Sequence, residues 1–415
     1  DTVGQETVNY RYTGSFGESK QFSAKITGRD IFDGIAFDSK LSSTFGVNMA
    51  DTWGRNYNFN MIENTRENIE TSFARVARLG AEEVIVHDFV MATFDGKGKA
   101  DVDLSDMGYE LVPDIFANDF RDEGMTQDDL DKLARVAHAD GLKIGLRFNL
   151  ALNNIGDYIG KDIAKEEAED WARITSSKNK EWVMDFLDKW EDYMLKRAEM
   201  LNKAGFDMMV ISPTWHPVTY QPYEAEANQR WTEIIQNVKQ KFNGKIAVQV
   251  PLYSYLRNDG VEDWSKYDFY KDADTFYLEM QHLYAGNEGL VDPSVDKMKG
   301  YFSRFLDDVE AKGDNPSMLI GFKSFKDSFS NYSPYHPEEY GRPEVAAMVP
   351  DWEHQADIFE AFFQAAEGRK NIARIVVEGY WWDDVMEPDT KIRQAISITC
   401  RSKNAEGVIM KWGQS

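Results

Sequence analysis

The stretch TQDDLDKLARVAHADGLKIGLRF (residues 126–148) combines an amphipathic helix with an apolar strand that follows it directly. Thr126 is typical of a helix N-cap, and the acids after it suit the positive end of the helix dipole. Leu130 and Leu133 recur at helical spacing, and Gly141 is a typical helix-ending residue. Residues 143–148 then form a predicted strand. The stretch therefore indicates one repeat of a parallel α/β fold.

The same alternation recurs along the whole chain. Strands are predicted at 34–37, 84–86, 143–148, 208–211, 246–248, 275–278, 318–322 and 372–377. Further helices are predicted at 65–79, 182–203, 231–242 and 389–398. Eight parallel units favour a closed barrel. An open dinucleotide-binding sheet would carry a glycine-rich turn after its first strand, and the sequence has none there.

The length of the chain sets the domain prediction. It has 415 residues, more than the roughly 250 of a typical barrel, yet no Pro/Gly/Ser-rich linker divides it. We therefore predict the fold class α/β, as a single (β/α)8 TIM barrel with long loops over residues 1–415. Residues 1–30 are expected to be an N-terminal extension that packs on the barrel.

Composition restricts the partners and the location. The net charge of −24 argues against a nucleic-acid partner, because phosphate binding needs surplus Lys and Arg. No apolar run approaches the roughly 20 residues of a membrane span. The single cysteine, Cys400, cannot form an internal disulfide and is expected to be buried. A start at Asp1 without Met fits a removed signal peptide, so a secreted or periplasmic protein is expected.

Short motifs lie in or beside the predicted strands. They are GIAF (34–37), ARLGA (77–81), LARVAH (133–138), AGFD (204–207), WTEII (231–235), ADTFY (273–277) and SKNAEGVI (402–409). In these motifs the chain resembles the barrel glycosidases of the clan that includes endo-β-mannanases and endo-β-galactanases. The resemblance implies hydrolysis of a polysaccharide by paired carboxylates.

The chain departs from that family at its catalytic positions. The family places one glutamate at the end of strand four and another at the end of strand seven. The matching positions here look like Thr214 and Phe322. Neither side chain can transfer a proton or attack a sugar in the usual way. Either other carboxylates have taken over, or the chain binds a glycan without cleaving it.

Two glutamates at other strand ends are the candidates for catalysis. Glycoside hydrolysis normally needs two carboxyl groups that flank the bond, and barrel enzymes carry such groups at the carboxyl ends of strands. Glu279 ends predicted strand six, and Glu378 ends predicted strand eight. We predict that they are the acid/base and nucleophile pair, with the assignment between them left open. The alternatives are a capping or ion-paired Glu279 and a buried, paired Glu378.

Residues that could bind the substrate follow the predicted strands. They are His87, Asp88, Arg147, Asn149, Trp215, His216, Gln249, Tyr253, Gln281, His282, Lys323, Tyr380, Trp381, Trp382 and Asp383. The aromatic rings offer faces on which sugars could stack, or they form a core cluster. Arg147 could hold a sulfate or carboxylate, or pair with Asp88. Lys323 suggests a negatively charged substrate group, or is simply solvated.

The sequence thus predicts an endo-acting glycoside hydrolase that cleaves a polysaccharide, with an anionic or sulfated algal glycan such as a fucan as a candidate substrate. No metal or other cofactor is expected, because the six histidines are scattered and no ligand motif is present. The alternative is a catalytically inactive barrel that binds carbohydrate.

Overall fold

The computed structural model describes part of the chain, in two compact units that comprise residues 1–38 and 39–415. The described residues are 5–13, 19–27, 41–50, 65–94, 109–113, 125–152, 180–211, 224–251, 268–280, 293–312, 316–329, 348–381 and 395–414. The first unit contains an antiparallel hairpin of strands Gln5–Thr13 and Ser19–Thr27. This pair of strands was not predicted from the sequence. The packing of residues 1–30 on the barrel stays a prediction.

The second unit is a closed barrel of eight parallel strands, as predicted. Barrel strands one to eight are Thr44–Ala50, Glu83–Phe94, Lys143–Leu152, Met208–Ile211, Lys245–Pro251, Thr275–Met280, Ser317–Ile320 and Arg374–Trp381. Each strand pairs with the next one in sequence. Strand eight pairs with strand one, where Val376 is the partner of Gly46, and this pairing closes the barrel. A short strand, Tyr109–Pro113, lies antiparallel to the end of strand two.

Helices connect the strands. In chain order they are α1 Thr65–Arg78, α2 Gln127–Ala139, α3 Lys180–Ala204, α4 Glu224–Lys241, α5 Val295–Ala311, α6 Trp352–Ala366 and α7 Asn404–Gly413. A 3-10 helix, Asp268–Asp272, precedes strand six. Helix α2 begins at the predicted cap: the Thr126 side chain accepts from the Asp129 N–H, and the Asp129 carboxylate accepts from the Thr126 N–H.

The first barrel strand and the last helix of the chain differ from the prediction. The first barrel strand is Thr44–Ala50, whereas residues 34–37 lie outside the described part. That strand alternates Phe45 and Val47 with Gly46 and Asn48, so it lacks the uninterrupted apolar run of a fully buried strand. A further helix, Asn404–Gly413, closes the chain and was not predicted; of the predicted helix 389–398, residues 389–394 are not described and residues 395–396 are helical. The prediction also omitted α5 and α6.

The barrel interior has an apolar layer between two polar ends. Its middle is filled by Ile85, Met208, Val210, Ala247, Tyr277, Leu319 and Val376. At the amino ends of the strands, Glu83 lies 3.3 Å from Arg374 and accepts a hydrogen bond of 3.2 Å from the Tyr277 hydroxyl. Burial raises the pKa of Glu83. The centre is therefore a packed core, and the polar layer at the carboxyl ends is the one to consider as a site.

Candidate active site

Six polar side chains form a layer at the carboxyl ends of the strands, which we call the mouth layer. They are Asn48, His87, Arg147, Gln249, Glu279 and Glu378, from strands one, two, three, five, six and eight. Each lies two positions beyond a small or apolar residue that faces the barrel interior, for example Glu378 after Val376. Because side chains on a strand alternate between faces, these six side chains also face inward.

Arg147 joins the two predicted catalytic glutamates. Its Nη1 donates a hydrogen bond of 2.8 Å to Oε1 of Glu378, and its Nη2 lies 3.7 Å from Oε1 of Glu279. The Arg147 side chain is only 1% exposed. One guanidinium therefore reaches both carboxyl groups, so the structure brings the two predicted catalytic glutamates together in the mouth layer.

Glu378 is held at both of its carboxylate oxygens. Arg147 contacts Oε1, and the side-chain amide of Asn48 donates to Oε2. The Oδ1 atom of Asn48 lies 2.6 Å from Nε2 of His87. Burial, together with the positive charge of Arg147, holds the pKa of His87 well below its usual range. The imidazole is therefore neutral near pH 7, with one N–H to donate.

Glu279 occupies a different environment from Glu378. Burial raises its pKa to about 7; Arg147 opposes this effect, and the negative charge of Glu378 adds to it. The amide of Gln249 donates to Oε2 of Glu279. The Glu279 side chain is 12% exposed, against 4% for Glu378. Glu279 can thus carry a proton near neutral pH, and its side chain is the more exposed of the two.

Asp88 was expected to bind the substrate, but its side chain faces away from the mouth layer. It follows His87 in strand two, so its side chain points to the opposite face of the strand. There it is fully buried against α3, 2.9 Å from Nε of Arg197, and it accepts a hydrogen bond of 2.6 Å from the Tyr193 hydroxyl. The alternative in which Arg147 pairs with Asp88 is wrong, because Asp88 pairs with Arg197 and Arg147 pairs with Glu378.

Tyr380 also points away from the mouth. Its hydroxyl donates a hydrogen bond of 2.6 Å to Glu406 of α7, and the guanidinium carbon of Arg401 lies 5.7 Å from the ring centre. The ring is fully buried. The expectation that the Tyr380 ring offers a face for a sugar is therefore wrong. Tyr380 lies two positions after Glu378 and would face the same side on a regular strand, but Gly379 between them has a φ of +76°, which breaks the alternation.

The end of strand seven also differs from expectation. Phe322 packs outward against Phe302 and Phe359. The inward position beside it belongs to Gly321, where an added Cβ would lie 3.1 Å from the Cβ of Glu378. Lys323 is half-buried. The position that faces the mouth on strand seven is therefore a glycine, whose lack of a side chain lets Glu378 approach the strand closely.

Other predicted residues cannot be placed as side chains. Asn149 and Trp381 lie in strands three and eight, but their side chains are outside the described part. The residues wholly outside it are Thr214, Trp215, His216, Tyr253, Gln281, His282, Trp382 and Asp383. Their roles stay predictions.

Asn48 is the mouth-layer residue that the sequence analysis missed. It lies in Thr44–Ala50, which was not predicted as a strand. A usable signal was present, since a polar residue between Val47 and Met49 interrupts an alternating apolar pattern. In a barrel such a residue faces the interior close to the carboxyl end of its strand.

Comparisons with known proteins give the fold. No protein-family model matches the chain, and no curated protein matches its sequence. Among solved structures, a GH113 β-1,4-mannanase superposes with a TM-score of 0.56 at 15% identity, over 91% of this chain and 99% of that one. A GH113 β-mannanase from Alicyclobacillus acidocaldarius gives 0.51 at 16%, over 91% and 98%. A GH5 mannosidase from Rhizomucor miehei gives 0.54 at 13%, over 92% and 96%.

These likenesses define the class of fold as the (β/α)8 barrel that the GH113 and GH5 enzymes also have. At such low identity they carry no more than the architecture. Within the described ranges, no helix combines the length and apolar character of a membrane span. The same ranges hold no cluster of three or more His, Cys, Asp or Glu side chains suited to a metal ion.

Proposed function

We propose that this chain is an endo-acting glycoside hydrolase that cleaves a polysaccharide with Glu279 and Glu378. The observation that carries the proposal is that the two carboxyl groups beside Arg147 lie in unequal environments. One has a pKa of about 7, and the other accepts hydrogen bonds from a guanidinium and an amide. Paired carboxyl groups in unequal environments are the arrangement that glycoside hydrolysis requires.

The reaction places one carboxyl group on each side of the bond. The protonated group gives its proton to the glycosidic oxygen while the bond from that oxygen to the anomeric carbon breaks. The ionised group either bonds to the anomeric carbon or takes a proton from the attacking water. One water molecule is consumed: its hydroxyl ends on the anomeric carbon, and its remaining proton restores the carboxyl pair.

The location of the pair supports the same function. Both glutamates lie at the carboxyl ends of barrel strands, where the active sites of barrel enzymes are found. The solved GH113 and GH5 proteins that share the fold are a β-1,4-mannanase and a mannosidase. The endo mode follows from the resemblance to endo-acting enzymes in the short motifs.

The finer proposal concerns an anionic substrate such as a sulfated fucan. Its support is Lys323, which is half-buried just beyond strand seven. Arg147 no longer supports it, because its guanidinium is directed at the two glutamates. A comparison of sulfated fucan with its desulfated form tests this point, since a preference for the desulfated form would contradict it.

The deciding experiment is a screen of purified mannan, galactan and sulfated fucan with sizing of the products. We expect the wild type to release oligosaccharides of mixed length from one of them. Glu279→Gln and Glu378→Gln should each reduce the rate at least about 10³-fold and leave binding intact. Glu226→Gln, on the exposed start of α4, is the matched control. A wild type that binds one polysaccharide but releases nothing from any would favour the inactive carbohydrate-binding barrel.

A further inference from the structure

A chain of hydrogen bonds crosses three barrel strands and ends on Glu378. The Nε2 atom of His87 lies 2.6 Å from Oδ1 of Asn48, and Nδ2 of Asn48 donates to Oε2 of Glu378. All three side chains are buried. Buried polar contacts of this kind fix the orientation of the groups that form them.

The orientation of the Asn48 amide follows from its two neighbours. Its oxygen only accepts hydrogen bonds and its nitrogen only donates them. A carboxylate needs a donor, so Nδ2 faces Glu378 and Oδ1 faces His87. The neutral imidazole must then carry its proton on Nε2. The reversed amide would put Oδ1 against the carboxylate and lose the hydrogen bond to Glu378.

The two glutamates differ in the donors that they face. Glu378 meets the guanidinium of Arg147 at one oxygen and the amide nitrogen of Asn48 at the other, and neither group can accept a proton. Among the described residues, Glu279 accepts from one neutral amide, that of Gln249. Its distance of 3.7 Å from Arg147 exceeds a hydrogen bond.

From this geometry we propose that Asn48, oriented by His87, is a positioning residue that holds the carboxylate of Glu378 by a donated hydrogen bond and leaves Glu279 as the proton donor. The assignment rests on the proposed function and deepens it. Glu279 loses its proton to the glycosidic oxygen, and Glu378 acts on the anomeric carbon or on water. The pKa of Glu279, raised to about 7 by burial, agrees with this division.

The charge assignment can be tested without substrate. The full chain, labelled with carboxyl-13C glutamate, is measured by infrared difference spectroscopy at about pH 6, below the raised pKa of Glu279. Glu279→Gln should remove a band of a protonated carboxyl group, and Glu378→Gln a band of an ionised carboxylate. Asn48→Ala should shift the carboxylate band of Glu378. The reverse pattern of lost bands, or no shift with Asn48→Ala, would overturn the proposal.

The positioning role needs kinetics on whichever polysaccharide the wild type cleaves. Asn48→Ala and His87→Phe should lower kcat about 10²-fold with KM changed less than about threefold. His87→Gln should recover most of kcat, because the glutamine amide also donates toward Asn48. The control is Thr275→Val, which removes a buried hydrogen bond of 3.1 Å to Ser317 at the opposite end of the barrel and should leave kcat unchanged.

The two proposals fail in different ways. Wild-type kcat in Asn48→Ala, or His87→Gln no better than His87→Phe, would remove the positioning role while the hydrolase remained. If no polysaccharide is cleaved but the infrared bands follow the expected pattern, the hydrolase proposal fails and the charge assignment stands.

Discussion

Arg147 on barrel strand three donates a hydrogen bond of 2.8 Å to Glu378 on strand eight, with strands one and two between them. The contact spans residues that are 231 positions apart in the sequence. Both side chains are nearly inaccessible, at 1% and 4% exposure. Their charges are therefore balanced inside the barrel and not by water, which makes each of them costly to lose alone.

Arg147→Met should strongly destabilise the protein. The change removes the positive charge and leaves the carboxylate of Glu378 buried without its ionic partner, at a cost of about 3–5 kcal/mol. Chemical denaturation at neutral pH measures the free energy of unfolding. The double variant Arg147→Met with Glu378→Gln should recover part of the loss, because no unpaired charge then remains. A single variant as stable as the wild type would contradict the ion pair.

Activity should fall as the pH rises past about 7. Glu279 must be protonated to donate, and its raised pKa is set by burial, by Glu378 and by the opposing charge of Arg147. The ratio kcat/KM measured against pH on the polysaccharide that the enzyme cleaves should show this alkaline limb. A rate that stays constant up to about pH 9 would exclude Glu279 as the proton donor.

The same raised pKa has a consequence for stability. A glutamate whose pKa in the folded state, about 7, exceeds its unfolded value, about 4.3, favours folding less as the pH rises between the two values. Glu279→Gln should remove this contribution, up to about 3 kcal/mol between pH 4.5 and 7.5. Denaturation midpoints across that range provide the measurement, with Glu226→Gln as control. Parallel pH curves for wild type and Glu279→Gln would contradict the shift.

Asp88→Asn should affect stability and not substrate binding. The side chain pairs with Arg197 behind the barrel wall, so the change leaves the buried guanidinium without its carboxylate. We expect a loss of about 3 kcal/mol or more in unfolding free energy. At a temperature where the variant is folded, KM should stay close to that of the wild type. A KM raised about tenfold or more would show that Asp88 contributes to substrate binding.

Gly321→Ala should reduce turnover with little change in KM. The new methyl group would lie 3.1 Å from the Cβ of Glu378, which must move by a few tenths of an ångström. Because catalysis depends on the exact position of the carboxylate, we expect kcat to fall about tenfold or more. Gly300→Ala in α5, where an added Cβ meets nothing within 4 Å, is the control. Equal kcat in the two variants would show that the mouth tolerates the methyl group.

The sequence predicted the central repeating units of the fold well, and the first strand and the last helix poorly. Strand four was located at its observed bounds, because MMVI (208–211) is an apolar run closed in by Gly205. Strand one was misplaced, since its inward face carries Gly46 and Asn48 and its apolar residues alternate. Helix α7 was missed because Gly407 and the short length weaken its helical pattern.

The sequence by itself determined the fold class and brought Glu279, Glu378 and Arg147 forward as candidates. Side chains alternate between the two faces of a strand, and the carboxyl ends of the strands meet at one end of a barrel. Both regularities hold wherever parallel α/β units repeat, so they can be applied from the sequence. Only the tertiary structure decided which charges meet: Arg147 reaches both glutamates, and Asp88 turns to Arg197. Electrostatic pairing depends on distance and burial across the barrel, and neither is encoded in the spacing of residues along one strand.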